Sequence, residues 1–181
     1  MKASTTSLPG VLVIEGDEHL DDRGSVAELY RADRFAELGI PDVFVQDNLT
    51  CSVRGALRGL HYRLSAQAKL VTVTEGEIYD VAVDVRRGSP TFGHWFGTQL
   101  TADSRRRLYI PSGFAHGYQA ISDRADVLYK LTAPFDPADD RAIRWDDPAI
   151  AIPWPLTAPL LSARDAVAPL LADAELPAFT P

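Results

Sequence analysis

Short apolar segments, each bounded by turn residues, recur at spacings of about ten residues through most of this sequence. The boundaries between them are rich in Gly, Ser, Asp and Pro, and one early segment, 31–38, is a helix candidate that Gly39 and Pro41 would end. Short strands with no long helix between them pair antiparallel in a sandwich or a barrel. The sequence therefore predicts an all-β fold, with strands at 11–15, 25–30, 43–47, 55–62, 69–74, 78–85, 94–100, 107–111, 115–121 and 127–131.

The chain has 181 residues, a length that suits a single domain, and we expect residues 1–181 to form one. Pro and Ala become frequent from Asp146 onward. Residues 147–181 are therefore predicted to wrap around the domain as an irregular and partly helical segment. A short helix is expected near Ser162–Leu171, with Ser162 as its N-cap and Asp165 in its first turn.

Charge and composition argue against several classes of function. Lys and Arg number 18 against 25 Asp and Glu, so the formal net charge is −7 and no positive excess covers a nucleic-acid backbone. No apolar run approaches the roughly 18 residues that a membrane-spanning helix requires, and residues 1–16 lack the apolar core of a signal peptide. The one cysteine, Cys51, cannot form an internal disulfide. We therefore expect a cytoplasmic protein that binds neither nucleic acid nor a membrane.

Two histidines lie in segments that are similar to those of the cupin β-barrel. His116 closes a Pro-x-Gly-x-x-His pattern that starts at Pro111, and cupins use this pattern to turn the chain and point the His into the barrel. The resemblance implies a cupin-type antiparallel β-barrel, or jelly roll, with a few short helices. Metal-binding cupins carry His-x-His on the earlier strand, whereas here His61 is followed by Tyr62 and then Arg63. Because an arginine repels a cation and offers it no lone pair, we expect no bound metal ion. We expect no other cofactor either.

Other polar residues accompany these histidines on the predicted strands. Lys69 begins one strand, and Tyr129 lies in an otherwise apolar one. Arg58 is three residues from His61, so the two side chains would face opposite ways unless a bulge at Gly59 turns Arg58 inward. Such a group of polar side chains inside a barrel is costly to desolvate unless a ligand or water binds there. The group therefore indicates a functional site rather than hydrogen-bonded core histidines.

Nine segments of the sequence occur in the order of the motifs of one known family. They are Asp22–Gly24, Val45–Asn48, Leu57–Tyr62, Gln67–Val71, Asp80–Arg86, Ser89–Gly93, Leu108–Gly117, Trp145–Pro148 and Leu161–Asp165. One segment could match by chance, whereas nine in order would not. Over roughly residues 8–170, the chain resembles the dTDP-4-dehydrorhamnose 3,5-epimerase family.

The resemblance implies a metal-independent homodimer that acts on dTDP-4-keto-6-deoxy sugars. It places His61 at the position of the general base and Asp165 at that of its carboxylate partner. It places Tyr129 at the position of the general acid and Lys69 near the C4 oxygen of the sugar. The segment around Arg23–Glu28 is expected to reach toward the site of the neighbouring subunit. The positions that line the nucleotide-sugar site are, by resemblance, Arg23, Glu28, Gln46, Asn48, Arg58, His116, Phe135, Asp140 and Arg164.

The expected activity is epimerisation of dTDP-4-dehydro-6-deoxy-D-glucose at C3 and C5, through an enolate, in deoxysugar biosynthesis of the rhamnose type. Some relatives invert C3 only, and the sequence does not separate one inversion from two. The other hypotheses are a cupin that binds a nucleotide sugar without catalysis and a metal-dependent cupin. Phe135 stands where many relatives have Tyr, which keeps the aromatic face and loses the hydroxyl, and Val26 stands where Phe is usual.

Several residues outside the proton-transfer positions have a structural interpretation. Cys51 is expected to be a small buried apolar side chain, and Arg105–Arg107 to be a solvated entrance to a strand. Asp80 and Asp84 share one predicted strand and are expected to form ion pairs near Arg86. The alternation of polar and apolar residues along this strand predicts one apolar face.

Overall fold

The computed structural model describes residues 1–179, and this part of the chain contains thirteen strands and two short helices. No helix in it is both long and apolar enough to cross a bilayer. The elements, in chain order, are β1 (Lys2–Thr5), β2 (Leu12–Glu15), β3 (Glu18–Asp21), β4 (Gly24–Ala27), α1 (Ala32–Glu37), β5 (Gln46–Val53), β6 (Leu57–Arg63), β7 (Lys69–Glu75), β8 (Glu77–Asp84), β9 (Trp95–Thr101), β10 (Arg106–Ile110), β11 (Phe114–Ala120), β12 (Arg124–Leu131), β13 (Asp140–Ala142) and α2 (Ala163–Ala166).

Most of the strands form two antiparallel sheets. The first has six strands in the order β1-β2-β10-β7-β12-β5, and the second has five in the order β13-β6-β11-β8-β9. An apolar cluster between the sheets joins Val71 and Leu108 of the first with Ile78 and Ala120 of the second. The predicted all-β fold with a cupin-type antiparallel barrel is confirmed.

The outer faces of both sheets are also covered. Phe35 and Ile40, from α1 and the turn after it, pack on the first sheet beside Leu70. Leu171 of the C-terminal segment belongs to the cluster that includes Val83 on the outer face of the second sheet. β8 is therefore buried on both faces, and its predicted apolar face, which carries Val83, packs in this outer cluster.

Two predictions about burial were wrong. Arg107 is fully buried and donates a hydrogen bond to the Glu28 carbonyl (2.9 Å), while Arg105 pairs with Glu18, so Arg105–Arg107 is not a solvated strand entrance. β10 lies inside the first sheet, and the segment that contains Glu28 covers its outer face. Cys51, predicted to be buried, is exposed because it lies on the outer face of β5, together with Leu49 and Val53.

The C-terminal segment is more irregular than predicted. α2 has four residues instead of the expected 162–171, and Pro169 explains part of this because the residue before a proline avoids the helical conformation. Its N-cap is as predicted, since the Ser162 hydroxyl accepts a hydrogen bond from the Asp165 amide at 3.0 Å. β1, β3 and β13 were not predicted, and β5 begins at Gln46 rather than at residue 43.

Asp147 holds the C-terminal segment in place through backbone hydrogen bonds. Its buried carboxylate accepts from the amides of Ala149 (2.7 Å) and Ile150 (3.4 Å) and, far along the chain, from Leu171 (2.6 Å). A buried amide that loses its acceptor loses its hydration without compensation.

Asp147→Ala is expected to lower the free energy of unfolding by about 2–3 kcal/mol, because buried amides then lose their acceptor. The matched control is Asp146→Ala, which removes an exposed pair with Arg144 and should change stability by less than about 1 kcal/mol. Urea unfolding of the two variants measures the difference. Equal losses in both would contradict the role given to Asp147.

Candidate active site

A cavity of about 450 Å³ opens between the two sheets, beside α2. Residues from β6, β7, β11, β12 and α2 line it, so segments that are distant in sequence meet there. All four of the predicted catalytic side chains belong to its lining, together with three of the predicted binding residues. These seven are Arg58, His61, Lys69, His116, Tyr129, Arg164 and Asp165.

His61 and Asp165 form a hydrogen-bonded pair at one side of the cavity. His61 Nε2 lies 2.6 Å from Asp165 Oδ1, and the Asp165 residue is only 3% exposed. Burial alone would raise the pKa of Asp165, but hydrogen bonds from His61 and Ser162 outweigh burial and lower this pKa. Asp165 is therefore ionised at neutral pH and can only accept, so Nε2 carries the hydrogen and Nδ1 keeps a free lone pair.

Lys69 lies at the start of β7, next to the backbone of His61. Its Nζ donates to the His61 carbonyl at 3.3 Å. Loss of solvation by burial lowers the pKa of Lys69 to about 8, although the nearby carboxylates of Asp140 and Asp80 raise it. The amine is therefore mostly an ammonium at pH 7, and it is held in surroundings where a positive charge is poorly solvated.

A second imidazole–carboxylate pair lies opposite the first. His116 stands across from His61 in the β11–β6 ladder, and its Nε2 is 2.6 Å from Asp80 Oδ1. Asp80 therefore pairs with His116, whereas the predicted ion pair with Arg86 is made by Asp84. Within residues 1–179, no three side chains of His, Cys, Asp or Glu lie close enough together to hold a metal ion.

Tyr129 reaches the cavity from β12, on the sheet opposite to that of His61. Burial raises the pKa of Tyr129, and a hydrogen bond with Asn48 lowers it by less. The hydroxyl is therefore protonated at neutral pH and can donate its proton. His61 and Tyr129 therefore enter the cavity from different sheets.

Arg58 lines the cavity together with His61 because β6 is irregular between them. The register of the β11–β6 ladder shifts at this point, and Gly59 has a φ of 136°, a conformation that side chains disfavour. A Cβ at Gly59 would also lie 2.5 Å from the Cα of Gly117. The irregularity at Gly59 therefore lets Arg58 and His61 both line the cavity, which is the alternative that the sequence left open.

Phe135 lies on a loop whose backbone is held by three side chains. Gln67 and Arg63 donate to the carbonyls of the two residues before Phe135, at 2.9 and 3.3 Å. The amide of Phe135 donates to the Gln46 side chain at 2.7 Å, and Gln46 also donates to Asn48 at 2.8 Å. The phenyl ring is 54% exposed. An exposed aromatic ring on a fixed backbone is suited to stacking against a planar ligand.

The remaining predicted binding residues divide into two groups. Asp140 forms an ion pair with Arg164, a cavity-lining residue. Arg23 and Glu28 do not line the cavity of their own chain. The Arg23 side chain is 88% exposed and pairs with Asp21 on the β3–β4 hairpin, and Glu28 pairs with two arginines of the neighbouring segment.

Comparison with known proteins agrees with this geometry. The sequence pattern of the family described as dTDP-4-dehydrorhamnose 3,5-epimerase matches residues 5–173. The chain belongs to this family. A dTDP-4-dehydrorhamnose 3,5-epimerase of Pseudomonas aeruginosa is 49% identical over 178 residues, which are 97% of this chain and 98% of the relative.

Further members of the epimerase family resemble the chain along its whole length. The crystal structure of the dTDP-6-deoxy-D-glucose-3,5-epimerase of Legionella pneumophila, in complex with dTDP-4-keto-L-rhamnose, has a TM-score of 0.96 and 44% identity, with 99% of each chain covered. A dTDP-4-dehydrorhamnose 3-epimerase of Streptomyces niveus is 44% identical over 177 residues, 96% of this chain and 86% of the relative.

Sequence reasoning missed two groups: Tyr118, which lines the cavity, and Asp80 as the partner of His116. Tyr118 lies two residues after His116 on β11, so simple strand alternation places both side chains on one face. That signal was available in the sequence. The Asp80–His116 pair joins β8 to β11 across the sheet, and only the strand order reveals it.

Lys69→Met is expected to raise the free energy of unfolding at pH 7 by on the order of 1–2 kcal/mol, because it removes a charge that burial disfavours. Between pH 8 and pH 10.5, which is the ordinary pKa of lysine, Lys69 keeps its proton in the unfolded chain and releases it in the folded protein. The stability of the wild type relative to the variant should therefore rise over this range.

Urea unfolding at several pH values measures this effect. The control is Lys130→Met, since Lys130 forms a surface pair with Asp47 (2.8 Å) and its loss should cost less than about 1 kcal/mol at every pH. A Lys69→Met variant that is less stable than the wild type at pH 7 would contradict the expectation.

Proposed function

We propose that this enzyme epimerises dTDP-4-dehydro-6-deoxy-D-glucose at C3 and C5, with His61 as general base and Tyr129 as general acid. The reaction belongs to deoxysugar biosynthesis of the rhamnose type. The observation that carries the proposal is the position of the His61–Asp165 pair on one side of the cavity and of Tyr129 on the other. The Legionella relative, which binds a dTDP-4-keto sugar, supports the substrate class.

His61 removes a proton from a carbon next to the ketone. The C4 carbonyl acidifies the hydrogens on both C3 and C5, because either carbanion is delocalised onto the C4 oxygen. A neutral imidazole, with an ordinary pKa of about 6.5, is suited to accept such a proton near pH 7. Asp165 holds the ring with Nδ1 free and stabilises the imidazolium that forms.

Lys69 stabilises the enolate. Negative charge develops on the C4 oxygen as the proton leaves, and an ammonium in a poorly solvated site stabilises that charge more than it stabilises the neutral ketone. Since burial lowers the pKa of Lys69 to about 8, the amine remains charged at neutral pH while its charge is incompletely shielded by water.

Tyr129 returns a proton to the opposite face of the carbon. Its hydroxyl is protonated at neutral pH because burial raises its pKa. When the base removes a proton from one face and the acid supplies one to the other, the configuration inverts. After the first inversion the imidazolium gives its proton to solvent and the tyrosinate takes one up, so the same two groups serve C3 and C5 in turn if the sugar ring shifts between the two steps.

Charged and aromatic groups bind the nucleotide. Arg58 and Arg164 can each form two parallel hydrogen bonds with diphosphate oxygens, a geometry that guanidinium groups favour. Phe135 offers a face for the thymine ring, and Gln46 and Asn48 lie beside its loop. The Streptomyces niveus relative, named a 3-epimerase, makes inversion at C3 alone the second candidate activity.

Incubation with the substrate in D₂O, followed by NMR, is expected to show deuterium at both C3 and C5. Label at C3 alone would identify the 3-epimerase, and label at neither carbon would refute the proposal.

His61→Asn should lower exchange by at least about 100-fold, because no other group replaces the base. Tyr129→Phe should retain exchange and lose inversion. The exposed His94, replaced by Asn, is the control and should exchange like the wild type.

We further propose that the enzyme is a homodimer whose sites are shared between subunits. The β3–β4 hairpin is paired with neither large sheet, and its Leu20 and Val26 are 79% and 71% exposed. Isolated hairpins are marginally stable in water. The edge strand β5 also exposes Leu49 and Val53. A second copy that covers these surfaces would bring Arg23 to the partner's cavity.

A complementation experiment tests the shared site. Arg23→Ala and His61→Asn subunits, co-expressed with different tags and purified through both, should form a dimer with one complete site. Its activity is expected to be about half that of the wild type, while each variant alone has far less. A mixed dimer no more active than the Arg23→Ala protein, or a wild type that sediments as a monomer, would contradict the proposal.

A further inference from the structure

Tyr118 lies in the wall of the cavity between the two sheets, and the proposed mechanism gives it no role. It is 2% exposed, and its ring packs in the apolar cluster between the sheets. Its hydroxyl is 2.7 Å from the Thr50 hydroxyl and 3.0 Å from the Ser52 hydroxyl, both on β5. Tyr118 therefore joins β11 of one sheet to β5 of the other.

These hydroxyls continue a chain that starts at Arg58. The Arg58 Nε donates to the Ser52 hydroxyl at 3.1 Å, and at the far end the Thr50 hydroxyl donates to the Val127 carbonyl at 3.4 Å. A guanidinium can only donate, and a carbonyl can only accept. Among these bonds, only one direction gives every hydroxyl proton an acceptor: Arg58 to Ser52, Ser52 to Tyr118, Tyr118 to Thr50, and Thr50 to Val127.

A one-way chain of this kind is stronger than separate bonds. Each hydroxyl accepts one hydrogen bond and donates one, so the dipoles add and polarise one another. Arg58 lies at the Ser52 end of this chain, where the Ser52 hydroxyl oxygen accepts its hydrogen bond. The bond at Nε restrains the guanidinium plane, and among residues 1–179 the outer nitrogens make one weak hydrogen bond, to the Cys51 carbonyl at 3.5 Å.

We propose that Tyr118 is a positioning residue that orients Arg58 for the diphosphate of the nucleotide sugar. The inference rests on the proposed function, which assigns the diphosphate to Arg58. Without the Tyr118 hydroxyl, the Ser52 proton loses its acceptor, and Arg58 regains rotational freedom that binding must then remove. A phenylalanine at this position keeps the packing of the ring and removes only the oxygen.

Tyr118→Phe is the direct test, with dTDP as the probe in calorimetry. The variant is expected to bind dTDP about tenfold more weakly. This factor corresponds to the free energy of roughly one hydrogen bond between Arg58 and the diphosphate. KM for the sugar nucleotide should rise by a similar factor, while kcat stays within about twofold, since the hydrogen bonds of the Tyr118 hydroxyl go to Thr50 and Ser52 and not to a proposed proton-transfer group. Ser52→Ala should weaken dTDP binding in the same way, and combining the two should add little, because they interrupt one chain.

Two comparisons separate this role from general destabilisation. In an Arg58→Ala background, Tyr118→Phe should leave dTDP affinity unchanged, because no guanidinium remains to be oriented. Tyr62→Phe is the matched control, since Tyr62 is equally buried and donates to the Glu175 carbonyl (2.5 Å) away from the cavity, and its dTDP affinity should equal that of the wild type. Wild-type affinity in Tyr118→Phe, or an equal loss with and without Arg58, would overturn the inference.

The failure of this inference can be told apart from failure of the epimerase proposal. Affinity for dTDP is measured without any reaction, so it reports on Tyr118 even if the wild type exchanges no deuterium. At saturating substrate, Tyr118→Phe should exchange deuterium at the wild-type rate. A large loss of exchange at saturation, with normal dTDP affinity, would instead place Tyr118 in the chemistry and refute the positioning role.

Discussion

The hydrogen bond between His61 and Asp165 joins parts of the chain that are 104 residues apart, and the chemistry of the cavity depends on it. His61 lies on a sheet strand, whereas Asp165 lies in a four-residue helix within an irregular segment. A helix this short has no stability of its own. Its position is set by the Ser162 cap and by burial of side chains such as Leu171 against the second sheet. Because a displacement of about 1 Å can slow a positioned reaction 100-fold, the packing of this segment belongs to the catalytic design.

The cavity is rich in cations although the chain as a whole is acidic. Arg58, Lys69 and Arg164 line it, while the net charge is −7. A cleft with low-dielectric walls concentrates the field of such charges, so a small anion is drawn inward while the outer surface disfavours a long polyanion. A nucleoside diphosphate suits a site of this size and charge. The same field lowers the cost of forming an enolate, since both the diphosphate and the developing oxyanion are negative.

Much of the fold could be predicted because apolar alternation and turn residues are local properties of the sequence. Which faces of the strands are covered by other segments is not a local property of the sequence. Arg107 is buried because the segment around Glu28, 79 residues earlier in the chain, packs over β10, and Cys51 is exposed because nothing in the described part of the chain covers the outer face of β5. The site followed from motif resemblance, and the four side chains predicted to be catalytic do meet in the cavity. Arg23 does not line the cavity of its own chain, so its proposed role rests on a second subunit.

The proposed inversion depends on the two-sheet architecture. In that proposal the base comes from the second sheet and the acid from the first, so a sugar ring between them would present one face to His61 and the other to Tyr129. The distance between these groups is set by the apolar cluster between the sheets, where close packing resists small changes in volume. The Tyr118 hydroxyl bonds join the sheets at the same level and restrict sliding of β5 along β11. The stereochemistry of the product is thus a property of how two sheets pack, and the polar residues act on a geometry that the core maintains.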